Sequence, residues 1–72
     1  MARYYLVVGD RNHAHPLRNC RSDEIELAEF EAEEALKELR NQGDHTSIVR
    51  VVETDTRLVV YAIGRLTSNE GE

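Results

Sequence analysis

Two imidazoles and a thiol lie close together at His13, His15 and Cys20, with Asp10 just before them and His45 further along the chain. These are the side-chain types that hold zinc. Their spacing matches none of the paired CxxC or HxxxH arrangements that mark a zinc site, and Arg11, Arg18 and Arg21 beside them oppose a cation. No metal or cofactor is therefore assigned, and His13, His15 and Cys20 stand only as candidate ligands. Cys20 also sits between Arg18 and Arg21, and nearby cations favour thiolate. With His13 or His15 as base it has the residue types of a nucleophile pair. Nothing in the spacing fixes their geometry or supplies an oxyanion site, so a bystander cysteine is the simpler reading. Gly9-Asp10-Arg11-Asn12 has neither the glycine spacing of a dinucleotide loop nor a phosphate-binding lysine, and reads as a turn.

Carboxylates are the commonest reactive groups. Residues 22–38 hold eight acids against Lys37, a local charge of −7, whereas residues 1–21 set four arginines against Asp10, a charge of +3. From Leu39 onward four arginines face five acids, which is −1 and completes the net −5. No pair of acids is placed in a recognisable pocket, so acid–base catalysis has no specific support. Direct nucleic-acid binding is not expected of so acidic a chain, because binding needs cations to replace condensed counterions.

The elements that must position these groups follow from apolar spacing. Arg3-Tyr-Tyr-Leu-Val-Val8 is aromatic and β-branched and is closed by Gly9-Asp10, which predicts a strand. Residues 10–21 have no apolar periodicity, contain Pro16, and read as a loop. Ser22 to Gln42 predicts a helix: Ser22 can cap, Asp23 and Glu24 suit the positive end of the dipole, and Gly43 stops it. Within it Ile25, Ala28, Ala32, Ala35, Leu36 and Leu39 share one face, while Leu27 and Phe30 point away among the carboxylates. A competing reading makes residues 24–28 a strand and starts the helix near Phe30. Thr46–Glu53 and Arg57–Leu66 predict two further strands joined by a hairpin loop of Thr54-Asp55-Thr56, and residues 67–72 a polar tail.

The order is β-loop-α-β-β, or ββαββ if 24–28 is a strand. Either gives an α+β domain over residues 1–66, with a three- to four-stranded, mainly antiparallel sheet and one amphipathic helix on one face. The first and last strands are apolar on both sides, and a single helix covers only one. The second face then needs the long loop of residues 10–21, a second copy of the chain or a partner protein, and self-association through it is expected.

Size sets the function classes. Seventy-two residues make one thin core and leave little material for a deep pocket, so catalysis is not expected. A lone cysteine, no leader-like apolar stretch and no membrane-length run predict a soluble, cytoplasmic protein. The most informative surface is the helix, where Leu27 and Phe30 are ringed by Glu26, Glu31, Glu33 and Glu34, an apolar anchor within a charged rim. Glu26, Glu31, Glu34 and Glu38 are placed to steer a basic partner. Carboxylates a helical turn apart also present negative charge somewhat as a phosphate backbone does. In that respect the chain is similar in kind to small acidic proteins of phages and mobile elements, including anti-restriction and anti-CRISPR inhibitors. The expected function is non-catalytic protein binding through this surface, the partner being a basic nucleic-acid-binding protein or complex. The alternative is a metal- or ligand-responsive module using the His13/His15/Cys20 loop.

Overall fold

The aromatic and β-branched run after Arg3 forms the strand its composition favours, β1 (Tyr4–Gly9). In the computed structural model, which describes residues 2–10 and 13–64, it is followed by β2 (Ala14–Asn19), α1 (Ile25–Asn41), β3 (Ile48–Glu53) and β4 (Val59–Ile63). The four strands form one sheet in the order β2-β1-β3-β4, antiparallel throughout, with α1 across one face. The fold is α+β.

Side-chain alternation assigns the two faces. Tyr4, Leu6 and Val8 of β1, Val49 and Val51 of β3, and Tyr61 and Ile63 of β4 meet the helix. The helix answers with Ile25, Ala28, Ala32, Ala35, Leu36 and Leu39, the same stripe its 3.6-residue spacing predicts. Ala28 and Ala32 are fully buried over Leu6, Val49 and Val51, where small side chains let the helix lie close to the sheet. Tyr5, Val7, Ile48, Arg50, Val52 and Ala62 fall on the opposite face, over which no described helix or strand packs, although Val52 is itself buried there.

Residues 14–19 correct the expectation of a loop over residues 10–21. They form an edge strand whose every residue is exposed, so there is no buried side to impose a period-two pattern. Backbone pairing with β1 makes the strand, and its outer position tolerates Pro16, opposite Val7. The register slips by one residue at Leu17. The competing strand over 24–28 is not formed, because Ile25 and Ala28 are taken into the helix. The second strand of the ββαββ order is thus 14–19.

Helix α1 starts three residues later than expected. The Ser22 hydroxyl accepts from the Glu24 amide at 3.1 Å and shapes the approach instead of capping, while Asp23 Oδ1 accepts the Arg3 amide at 3.2 Å. The C-terminus closes in a Schellman arrangement: the Gly43 amide donates to the Arg40 carbonyl and the Asp44 amide to the Leu39 carbonyl, with Gly43 at φ +93°. The last two strands are shorter than expected. Thr46 and Ser47 are held in a turn by the Asp44 carboxylate, so β3 begins at Ile48. At the other end Arg57 is left-handed (φ +61°) and Leu58 completes the hairpin, so β4 begins at Val59. Arg11, Asn12, Arg65, Leu66 and the tail of 67–72 lie outside the described residues.

Candidate protein-binding groove

Leu17, Leu27 and Phe30 remain about half exposed although each is large and apolar. They come from two elements and line one groove of about 670 Å³ between the edge strand β2 and the flank of α1, with Leu39 and Ala35 deeper in. Leu17 reaches it at the register slip in β2. Leu27 and Phe30 reach it because they lie off the core stripe of the helix, as its spacing predicts.

The charges around the groove divide into engaged and open ones. Arg18 Nη1 donates to Glu31 Oε1 at 2.6 Å, and the Arg21 amide donates to Glu31 Oε2 at 2.8 Å. Partial burial works to raise the Glu31 carboxyl, but these bonds, with the Arg18 charge and the Ser22 amide, outweigh it and hold the group below its ordinary value. Glu31 therefore ties β2 to α1. Glu34 and Glu38 line the same groove and, among the described residues, their carboxylates hold no hydrogen bond or ion pair. On the other flank of the helix the Tyr61 hydroxyl donates to Glu33 Oε2 at 3.2 Å; partial burial first, then Glu33 and Glu29, raise the phenol.

The structure thus brings together Leu27, Phe30, Glu31, Glu34 and Glu38 from the surface expected from sequence. Glu26 is exposed in the first helical turn but does not line the groove. Leu17, Arg18 and Arg21 are the members that sequence reasoning missed. The one available signal was Leu17, a lone large apolar residue in a polar stretch, and its partner helix lies too far along the chain for any periodicity to connect them.

The histidine–cysteine segment is separated. His13 and His15 are exposed on the β1–β2 hairpin, whereas Cys20 is 5% exposed in the core beside Tyr4, Leu6 and Ala28. Burial first, and then the Glu31 carboxylate, push the Cys20 thiol up, and Arg18 only partly offsets them. The arginines flanking Cys20 in sequence do not make it a thiolate. His13 Nδ1 lies 3.6 Å from Asp10 Oδ1, which also accepts the His13 amide at 2.7 Å, a turn-closing arrangement. Among the described residues no three His, Cys, Asp or Glu side chains are grouped to hold one metal ion.

No described helix is long and apolar enough to cross a membrane. Comparison with protein-family models, curated proteins and solved structures gives no match. The groove is read on its chemistry alone.

Proposed function

We propose that this chain is a non-catalytic protein-binding domain whose recognition surface is the β2–α1 groove. One observation carries the reading: Leu17, Leu27 and Phe30, exposed and apolar, share a groove with two carboxylates that have no partner among the described residues. Apolar anchors supply affinity by leaving water, and a charged rim selects and steers the partner. The partner that fits offers an apolar side chain beside a lysine or arginine. Proteins that handle nucleic acids carry such basic surfaces, so an acidic inhibitor of a nucleic-acid-handling complex is the form of binder this reading favours. Glu31 neutralises the Arg18 guanidinium, which leaves Arg21 as the groove's one cation against Glu34 and Glu38 among the described residues.

The test is a pull-down of the tagged protein from an extract of its source cell, at low and high salt, read by mass spectrometry. The expected result is a basic partner recovered at low salt, stripped by high salt, and lost with Phe30→Ala and with Glu34→Gln/Glu38→Gln. Undiminished recovery of the same proteins by both variants would overturn the groove as the binding surface.

A further inference from the structure

The six large apolar side chains most exposed in the described residues fall into two groups. Leu17, Leu27 and Phe30 line the groove at the β2 side of the sheet. Leu58, Val59 and Val60 sit on β4 and the end of its hairpin, at the opposite edge, with Leu58 63% exposed. Next to Leu58 is Arg57, exposed and held outward in a left-handed conformation, its guanidinium without a hydrogen bond or ion pair among the described residues.

The two groups are complementary. One is an apolar cleft rimmed by the open carboxylates Glu34 and Glu38, with Arg21 at its β2 side. The other is an exposed apolar tip with the Arg57 cation beside it and the Asp55 carboxylate in the same turn. Within one chain β1 and β3 lie between them, so they can meet only between copies. We infer that the groove of one copy receives the Arg57-Leu58-Val59 tip of a second copy, with Leu58 against Leu27 and Phe30 and Arg57 beside Glu34 and Glu38. This inference rests on the groove being a binding surface and names an occupant for it.

The contact is head-to-tail, so it leaves a groove and a tip open at the two ends and propagates unless a ring closes. Charge also argues against the other route to self-association, a two-fold packing of the open sheet faces. Arg50 stands in the middle of that face, between Val7 and Ala62, and among the described residues the face offers no carboxylate to neutralise two guanidiniums brought together.

Sedimentation equilibrium of the full chain over rising concentration tests the arrangement. The wild-type chain should self-associate, less so at high salt. Phe30→Asp, which spoils the groove, and Leu58→Asp, which spoils the tip, should each be monomeric; both positions are exposed, and Phe30→Ser and Leu58→Ser serve if either aspartate fails to fold by circular dichroism. An equimolar mixture of the two variants retains one intact groove and one intact tip, and should give 1:1 heterodimers that grow no further. A wild-type chain that stays monomeric to about 1 mM, where a contact near −4 kcal/mol would already show, overturns the inference. So does a mixture that remains monomeric, or a dimer that survives both substitutions. A monomeric wild-type chain that still captures a basic partner through Phe30 would overturn this inference while leaving the groove reading intact.

Discussion

Arg18 on the edge strand and Glu31 on the helix are joined by a 2.6 Å bond, Nη1 to Oε1, the one side-chain hydrogen bond between β2 and the helix among the described residues. β2 is exposed along its whole length, so its attachment depends on pairing with β1 and on this clasp. Glu31 is mostly buried on its side chain and Arg18 less so, which limits the solvent screening of the pair. Replacing Glu31 with Gln should cost about 1 kcal/mol, measured by urea denaturation at neutral pH. The folded carboxyl lies below its ordinary 4.5, so its contribution is fully present above that pH and fades as acid protonates the folded state. Glu31→Gln should therefore lose more relative to wild type at pH 7 than at acid pH. An equal loss at both would show that the carboxylate's charge is not what matters.

Gly9 ends β1 with φ +148°, and a Cβ there would lie 1.8 Å from the His13 carbonyl oxygen. Both the backbone conformation and the space exclude an L side chain, and the obstacle is backbone that closes the hairpin. Gly9→Ala should destabilise the fold by more than about 2 kcal/mol. Hydrogen exchange should show the loss of protection concentrated in the β1–β2 ladder. A variant as stable as wild type would mean that the hairpin adopts another turn.

Phe30 is 57% exposed whereas Leu6 is fully buried beneath Ala28 and Ala32. Phe30→Ala should change the unfolding free energy by no more than about 0.5 kcal/mol, while Leu6→Ala should cost about 2–5 kcal/mol through lost burial and a cavity. Paired thermal melts check both. Comparable large losses from the two would make Phe30 part of the core and withdraw it from the groove.

This contrast also marks what the chain discloses by itself. The core stripe from Ile25 to Leu39 and the outward position of Leu27 and Phe30 are legible because a helix with one buried face must repeat every 3.6 residues. The strands β1 and β3 are legible because buried aromatic and β-branched runs have few other uses. β2 is not, since an edge strand with both sides in solvent needs only backbone pairing and tolerates Ala14-His-Pro-Leu-Arg-Asn19. The groove is half legible for the same reason: its helical wall follows from periodicity, while Leu17 and the Arg18–Glu31 clasp arise from a long-range pairing. Cys20 misleads in sequence because its flanking arginines are visible and its burial is not.

Arg57 holds φ +61° in the β3–β4 hairpin, with its amide donating to the Glu53 carbonyl at 2.7 Å. A side chain in that conformation costs about 1–2 kcal/mol, which glycine avoids while losing somewhat more chain entropy on folding. Arg57→Gly should therefore raise stability by about 0.5–1 kcal/mol, read from the denaturation midpoint, while Arg57→Val should lower it. Destabilisation by Arg57→Gly would mean that the guanidinium makes a contribution larger than the backbone strain it accompanies.

Asp44 gathers four donors just after the helix: the amides of Thr46 and Ser47 to Oδ1 at 3.1 and 3.0 Å, the Thr46 hydroxyl to Oδ1 at 3.4 Å, and the Ser47 hydroxyl to Oδ2 at 2.6 Å. The Ser47 hydroxyl is the largest influence, followed by the two amides, and together they bring the carboxyl from 3.8 down to about 2. A depressed carboxyl stabilises the fold above its unfolded value and loses that contribution as pH falls through its folded value, because the unfolded chain binds the proton first. The resulting window runs from about 3.8 down to about 2. Asp44→Asn keeps an acceptor oxygen for the amides but removes the titration. Its melting temperature should lie below that of wild type at pH 7, and the gap should shrink as pH is lowered through the window. The same turn fixes where β3 begins, so Asp44→Ala should also weaken hydrogen-exchange protection at Ile48 and Val49, a result that loss of surface charge alone would not produce.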